Sequence, residues 1–201
     1  MSDTTLRTGI DESHWNTNVD FGEILTAGCS FVGEKAIQGT GYVDPTFTDR
    51  RNRAHIAGVP LVLIYSFLTN DPGDVQAQHY LDTVGALGAG EFVAIDLESG
   101  GCTDAGVASL FWATLKGRYG LHDSDGYLYG SPGWLRDTFG AGLGQFTGMN
   151  LWAAEYGVAQ LGDVSPWVSA TIWQKSENAT VAGAGAPGTI DYDVWLGEWP
   201  L

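Results

Sequence analysis

The octapeptide Pro60-Leu61-Val62-Leu63-Ile64-Tyr65-Ser66-Phe67 is apolar almost throughout. Such a run suits a strand covered on both faces, because a half-exposed strand would alternate with polar residues. Thr8 to Asp11, Cys29 to Ile37 and Phe92 to Glu98 read as companion strands. Helical patterns lie between them: Val19 to Ala27, about Pro45 to Ala57 with Gly58 as a stop, and a helix opened by Asn70-Asp71-Pro72 with Ala77, Tyr80, Leu81, Val84 and Leu87 at helical spacing. Asp104 to Tyr119 adds another, with Val107, Leu110, Phe111 and Leu115 on one face and Gly120 after it. Strands alternating with helices imply βαβ units and a parallel sheet.

The second half carries less helix. Gly126 to Tyr129, Asn150 to Ala154, Ser169 to Gln174 and Thr189 to Trp195 read as strands, and only Pro132 to Phe139 reads as a helix between them. The glycine-rich pieces at Gly140–Gly144 and Ala182–Ala186 read as loops, since neither follows a strand and opens a helix as a dinucleotide fingerprint would. The expected fold class is α/β, a single shortened TIM-like (β/α) barrel of about eight strands and five helices. At 201 residues the chain sits at the lower limit for such a barrel. Residues 1–201 are therefore expected to form one catalytic barrel domain with no separate binding module.

Charge narrows the partners. The 9 Lys and Arg against 24 Asp and Glu leave a net charge of −15, which repels phosphate backbones and anionic headgroups, so neither nucleic acid nor a membrane surface is expected. No apolar run is long enough to span a membrane. Met1-Ser2-Asp3-Thr4-Thr5 lacks the basic and apolar regions of a secretory leader. Cys29 and Cys102 fit neither a metal pattern nor a disulfide framework; buried thiols are expected, with one bridge between them left open. His14, His55, His79 and His122 show no HxH or HExxH spacing, so no catalytic metal is expected. His55 and His79 fall on helices as surface or helix-packing residues, while His14 suits a site rim or plain surface equally. Asn178-Ala179-Thr180 is a glycosylation sequon that matters only in a eukaryotic secretory pathway.

The chemistry concentrates in Phe92-Val93-Ala94-Ile95-Asp96-Leu97-Glu98. Alternation turns Val93, Ile95 and Leu97 toward a helix layer and Phe92, Ala94, Asp96 and Glu98 into the barrel. Two inward carboxylates would be costly in mid-strand, but here they stand at the C-terminal end, the catalytic end of a β/α barrel. Asp11 closes the first strand, and Asp191 lies in the last with Ile190 and Tyr192 alternating outward. First and last strands adjoin in a closed barrel, so four carboxylates share one mouth. Like charges at close range raise at least one pKa, creating the general acid that glycosidic cleavage needs. The alternative is that Asp96 and Glu98 merely cap or pair at a strand end. Aromatic residues at strand ends, Tyr65, Phe67, Tyr129, Trp134, Trp152, Tyr156 and Trp173, fit a carbohydrate groove collectively, though core packing suits each one singly.

These pieces, in this order, resemble glycoside hydrolase family 25, the Chalaropsis-type muramidases that include phage endolysins. The resemblance runs from Gly9 to Trp195 through Gly9-Ile10-Asp11-Glu12-Ser13-His14-Trp15, Ser30-Phe31-Val32-Gly33-Glu34-Lys35-Ala36, Tyr65-Ser66-Phe67, Ala94-Ile95-Asp96-Leu97-Glu98, Gly126-Tyr127-Leu128-Tyr129, Leu151-Trp152-Ala153-Ala154-Glu155-Tyr156-Gly157, Ile172-Trp173-Gln174 and Gly188-Thr189-Ile190-Asp191. It implies cleavage of the β-1,4 bond between N-acetylmuramic acid and N-acetylglucosamine in peptidoglycan, without a cofactor. Glu98 would be the general acid, Asp96 would support charge at the reacting centre or orient the acetamido group, and Asp11 and Asp191 would complete the acidic floor. Whether the acetamido group or a water attacks first stays open. Tyr65, Phe67, Tyr129, Trp152, Glu155, Trp173 and Lys35 are the expected substrate-binding positions. Three departures stand out: Gln38 where the family often has an acid, Ser66 where it commonly has His, and Glu155 where a basic or aromatic residue is more usual.

The expected setting is a monomeric phage endolysin or virion-associated enzyme, made in a host cytoplasm without a leader and acting on the wall, or a secreted bacterial enzyme whose leader has been removed. Two other functions remain: a non-catalytic glycan-binding barrel, and a glycosidase acting on chitin-like N-acetylated glycans.

Overall fold

The computed structural model describes residues 6–201; Met1–Thr5, which carried the reading of a missing leader, lie outside the described residues. The strands are β1 (Thr8–Glu12), β2 (Cys29–Gln38), β3 (Tyr42–Val43), β4 (Leu61–Phe67), β5 (Glu91–Asp96), β6 (Gly126–Gly130), β7 (Asn150–Ala154), β8 (Ile172–Ala179) and β9 (Ile190–Trp195). The helices are α1 (Phe21–Thr26), α2 (Phe47–Ala57), α3 (Gly73–Val84), α4 (Ala105–Tyr119) and α5 (Pro132–Phe139). The strand order β1-β9-β8-β7-β6-β5-β4-β2, closed by β1 against β2, makes an eight-stranded barrel, and β3 hangs outside the ring on β2. The fold is thus the expected shortened TIM-like α/β barrel.

Helix boundaries follow local chemistry. Asp104 caps α4 by accepting from the Gly106 N–H at 2.7 Å, and Asp20 caps α1 by accepting from Glu23 at 3.0 Å. Gly58 and Gly120 end α2 and α4 in the left-handed region that favours glycine. The buried face of α4 is Ala108, Phe111, Trp112 and Leu115; Leu110, expected on that face, is exposed. Leu110 and Phe111 are adjacent and lie about 100° apart on a helix, so the two cannot both face the sheet squarely.

Period two sorts the core. Phe31, Leu61, Leu63, Ala94, Tyr127, Trp152, Ile172 and Trp195 fill the barrel interior. Val32, Val62, Ile64, Val93, Ile95, Leu97, Leu128 and Leu151 pack outward with the helices. A Cβ on Gly33 would meet the Trp152 ring at 2.5 Å and Asp11 Cβ at 2.7 Å, so only glycine leaves room for that indole inside the ring.

The sheet is not wholly parallel. β9 runs antiparallel to both β8 and β1. Its link from β8 carries no helix, and a short helix-free link permits an antiparallel return. β8 starts later than expected and continues to Ala179, and Gly140–Phe146 winds into 3₁₀ turns rather than open loop. Cys29 and Cys102 are buried and unbridged. No helix among the described residues is long and apolar enough to cross a membrane.

Behind β1 and β2, Glu12 and Glu34 are paired across the ladder and turned outward beneath Arg50 of α2. The Arg50 guanidinium stands 4.0 Å from Glu12 Oε2 and 3.5 Å from Asp44 Oδ1, and neither glutamate has a hydrogen-bond donor. Burial, then the neighbouring Glu12, pushes the Glu34 carboxyl well above its usual range. A carboxyl raised by folding contributes stability that is present at low pH and lost as pH climbs toward its folded titration. Glu34→Gln is therefore expected to match the parent near about pH 4.5 and to exceed it increasingly above that, by up to about 1.4 kcal/mol per pH unit. Urea unfolding at several pH values checks this; parallel stability curves would contradict it.

Candidate active site

The C-terminal ends of the parallel strands and the start of β9 enclose a cleft of about 290 Å³. Its lining includes Asp11, Lys35, Tyr65, Phe67, Asp96, Glu98, Tyr129, Trp152 and Asp191, each named as a site residue from sequence. A neighbouring cleft of about 430 Å³ shares Glu98, Tyr129, Tyr156 and Glu177 with the first and adds Trp134 and Glu155. Trp173 lines neither. Its neighbours Ile172 and Gln174 occupy the interior face of β8, so its ring turns outward; its indole N–H donates to the Glu155 carbonyl at 2.8 Å and Lys175 lies 4.5 Å from the ring centre.

The register brings the acids together. Asp11 pairs with Asp191 across β1 and β9, while Asp96 sits between Phe67 of β4 and Tyr129 of β6. Because β9 is antiparallel, Asp191 stands near its beginning, at the same end of the barrel where Asp11 and Asp96 close their strands. Glu98 lies beyond the last residue of β5, where the sequence had placed it within the strand. Leu97 keeps one ladder bond to Tyr129, and Gly101 turns back onto the Glu98 carbonyl at 3.0 Å. Glu98 is thus half-buried at the rim, with Asp96 beneath it.

Electrostatics follow from packing these carboxyls with one basic residue in the lining, Lys35. Burial, then the charge of Glu98, pushes Asp96 well above the carboxylate range, and Asp96 Oδ1 has no donor. Burial raises Glu98, while Lys35 works in the opposite direction. Burial and then Asp11 lift Asp191 to about 9. Burial and then Asp193 raise Asp11, against the Gln174 amide, which donates to Asp11 Oδ2 at 2.6 Å. Gln174 also accepts from the Tyr129 hydroxyl at 2.8 Å and from the Tyr156 hydroxyl. Each of these carboxyls is thus displaced toward its protonated form, the direction a general acid needs.

Lys35 donates to Gln38 at 2.9 Å and lies 4.8 Å from the Phe67 ring centre. Tyr65 donates to the Glu12 carbonyl at 3.3 Å. Trp152, buried on the floor, packs edge-on against Tyr129 at 5.3 Å. His14 backs the rim: it stands 4.3 Å from the Trp15 ring and 2.9 Å from the Tyr42 hydroxyl. His55 and His79 stay on their helices, bonded to Glu91 and the Gly39 carbonyl.

Sequence reasoning had not singled out Trp15, Gln174, Glu177 or Asp193. Alternation could have found two of them, because Gln174 shares a face with Ile172 and Asp193 shares one with Asp191. Trp15 follows β1 in irregular chain, where periodicity gives no direction. Among the described residues, no group of three or more His, Cys, Asp and Glu side chains could hold a metal ion.

The family model described as "Glycosyl hydrolases family 25" matches residues 10–184. The chain is 26% identical to Lysozyme M1 of Streptomyces globisporus over 98% of its own length and 70% of the relative's. It is 27% identical to the N,O-diacetylmuramidase of a Chalaropsis species, over 91% of this chain and 95% of that one. Among solved structures, the bacterial lysozyme from Streptomyces coelicolor superimposes with a TM-score of 0.84 at 25% identity, covering 98% of this chain and 94% of the other.

Proposed function

This chain belongs to glycosyl hydrolases family 25, and from that premise we propose that it is a muramidase, cleaving the β-1,4 bond between N-acetylmuramic acid and N-acetylglucosamine in peptidoglycan. The observation that carries the reading is the place of Glu98. It lines both adjoining clefts, so a glycan threading from one to the other crosses its carboxyl, with Asp96 below. The relatives named lysozyme and diacetylmuramidase supply the substrate class.

In this reading Glu98 protonates the departing glycosidic oxygen. Asp96 faces the anomeric centre or the neighbouring acetamido group, where its carboxyl stabilises the positive charge that develops as the bond breaks, a charge that itself favours the ionised form. Asp11 and Asp191 close the acidic floor. Trp15 and Tyr156, both exposed at the rim, offer flat faces for sugar C–H surfaces, while Tyr129, Lys35 and Glu155 meet polar groups. We assign the activity to this barrel, acting as a monomer in the setting of endolysin-type lysis of a host wall.

Glu98→Gln is expected to lower kcat by roughly 10²–10⁴-fold with unfolding unchanged, since the amide keeps the shape and loses the proton. Reducing-end release from purified peptidoglycan measures it, and a fully active variant would overturn the assignment. Running chitin oligomers beside peptidoglycan, with mass analysis of products, separates muramidase action from cleavage of other N-acetylated glycans. If the parent releases no reducing ends from either, the barrel is a binder.

Two further outcomes test the surroundings. Lys35→Met removes the cation that holds the Glu98 carboxyl down. Glu98 then keeps its proton to higher pH, and the alkaline limb of the rate profile moves upward; a downward or absent movement would contradict the acid assignment. Trp15 is 82% exposed, so Trp15→Ala leaves the core intact. It is expected to raise KM about tenfold, roughly 1.4 kcal/mol of binding, with little change in kcat; an unaltered KM would remove Trp15 from the groove.

A further inference from the structure

Asp193 is a buried carboxyl with no part in the reaction as described. It lies two residues after Asp191 on β9, opposite Gly9 of β1, with none of its surface exposed. The Trp152 indole N–H donates to Asp193 Oδ1 at 2.7 Å, and Asp193 Oδ2 has no hydrogen-bond partner. Asp11 and Asp193 are diagonal neighbours on one face of the β1–β9 ladder, where Asp11 pairs with Asp191 and Gly9 with Asp193, and Asp11 holds the Gln174 amide on its own Oδ2. Two neighbouring carboxylates in a dry interior are disfavoured from both staying charged, because repulsion adds to lost hydration. Among the described residues no Lys or Arg forms an ion pair with either carboxyl. The titratable groups that face it are Asp191 on the same strand, Glu98 after β5, Asp96 on β5, Tyr65 on β4, Tyr129 on β6, Tyr156 after β7 and Cys29 on β2.

From this geometry we propose that Asp193 is a positioning residue that shares a single proton with Asp11, Oδ2 of Asp193 forming one end of an O–H···O bond to the Asp11 carboxyl. The shared proton holds Asp11 in one orientation between Gln174 and Asp193, and it removes one negative charge from the mouth. Trp152 is tied to the same carboxyl, so the indole on the floor and Asp11 are fixed together. The effect on turnover rests on the reading of this mouth as a glycan-cleaving site; the shared proton itself does not.

Asp193→Asn and Asp193→Leu separate the possibilities. The asparagine presents its carbonyl to Trp152 and its N–H to Asp11, replacing the proton without changing the charge of the pair. Leucine supplies neither bond. On purified peptidoglycan, Asp193→Leu is expected to lose roughly 10²-fold in kcat with KM little changed, and Asp193→Asn to recover most of that loss. In urea unfolding between about pH 5 and pH 7, the unfolding constant of the parent is expected to climb about tenfold more per pH unit than that of Asp193→Asn, one proton's worth. Equal pH slopes, or an asparagine variant as impaired as the leucine one, would overturn the proposal. Should the leucine variant fail to fold, the slope comparison with asparagine still decides. If the parent releases no reducing ends, the reading of the activity fails, and the slopes alone judge the shared proton.

Discussion

The antiparallel ladder between β1 and β9 closes the barrel and sets everything at its mouth. Thr8 to Asp11 pair with Val194 down to Asp191, so the closing register decides which side chains of the last strand reach the rim. Were β9 parallel like its seven companions, its far end would lie there and Trp195 would stand near the mouth. Instead Trp195 seals the opposite end against Phe31, Tyr127 and Trp199, and two aspartates of β9 face the catalytic end. A one-residue slip would turn Asp191 and Asp193 outward and Ile190 and Tyr192 inward, exchanging an acidic mouth for an apolar one.

That closure concentrates carboxyls where water is scarce, and the consequence is proton retention rather than ion pairing. Arg50, Arg51 and Arg53 all sit on α2, outside the ring, and Lys35 alone among basic residues lines the cleft. The mouth offsets its charge by keeping neutral acids and by giving them fixed donors: Gln174 on Asp11 and Trp152 on Asp193. Gln174 is buried and bonded at both ends of its amide, which places Tyr129, Tyr156 and Asp11 around one rigid group. The same logic recurs behind the wall, where Glu12 is raised to about 7 by burial despite Arg50. There the acids face a helix rather than a cleft, so they are a stability cost without a catalytic return.

The sequence was legible wherever one physical rule acted alone. The apolar runs of β4 and β5 admitted only a doubly covered strand, and alternation sorted Val93 and Ile95 from Ala94 and Asp96 correctly. Helix stops at Gly58 and Gly120 followed from the left-handed conformation that glycine accepts. Legibility failed where tertiary context chose between equal local options. The direction of β9 depends on a connection whose path no local pattern dictates. Leu110 is as apolar as its neighbours, but only the angle of α4 against the sheet decides which stripe is buried. Trp173 carries the same ring as Trp152, and one residue of register sends it to the outer face.

Glu98 shows why such a site tolerates imperfect reading at the strand end. Alternation pointed it inward from within β5, yet the strand stops at Asp96 and the chain is already turning at Glu98. The side chain still reaches the cleft because the Leu97 ladder bond to Tyr129 carries the strand direction one residue further. The displacement has a chemical consequence. A carboxyl held in the ladder, as Asp96 is, becomes fully enclosed, with one oxygen left without a donor. A carboxyl released into the turn remains half-exposed, so it can exchange its proton with solvent between turnovers while burial still raises its pKa. A group that must donate and regain a proton in every cycle belongs at that boundary, and the two-position step from Asp96 to Glu98 places one acid on each side of it.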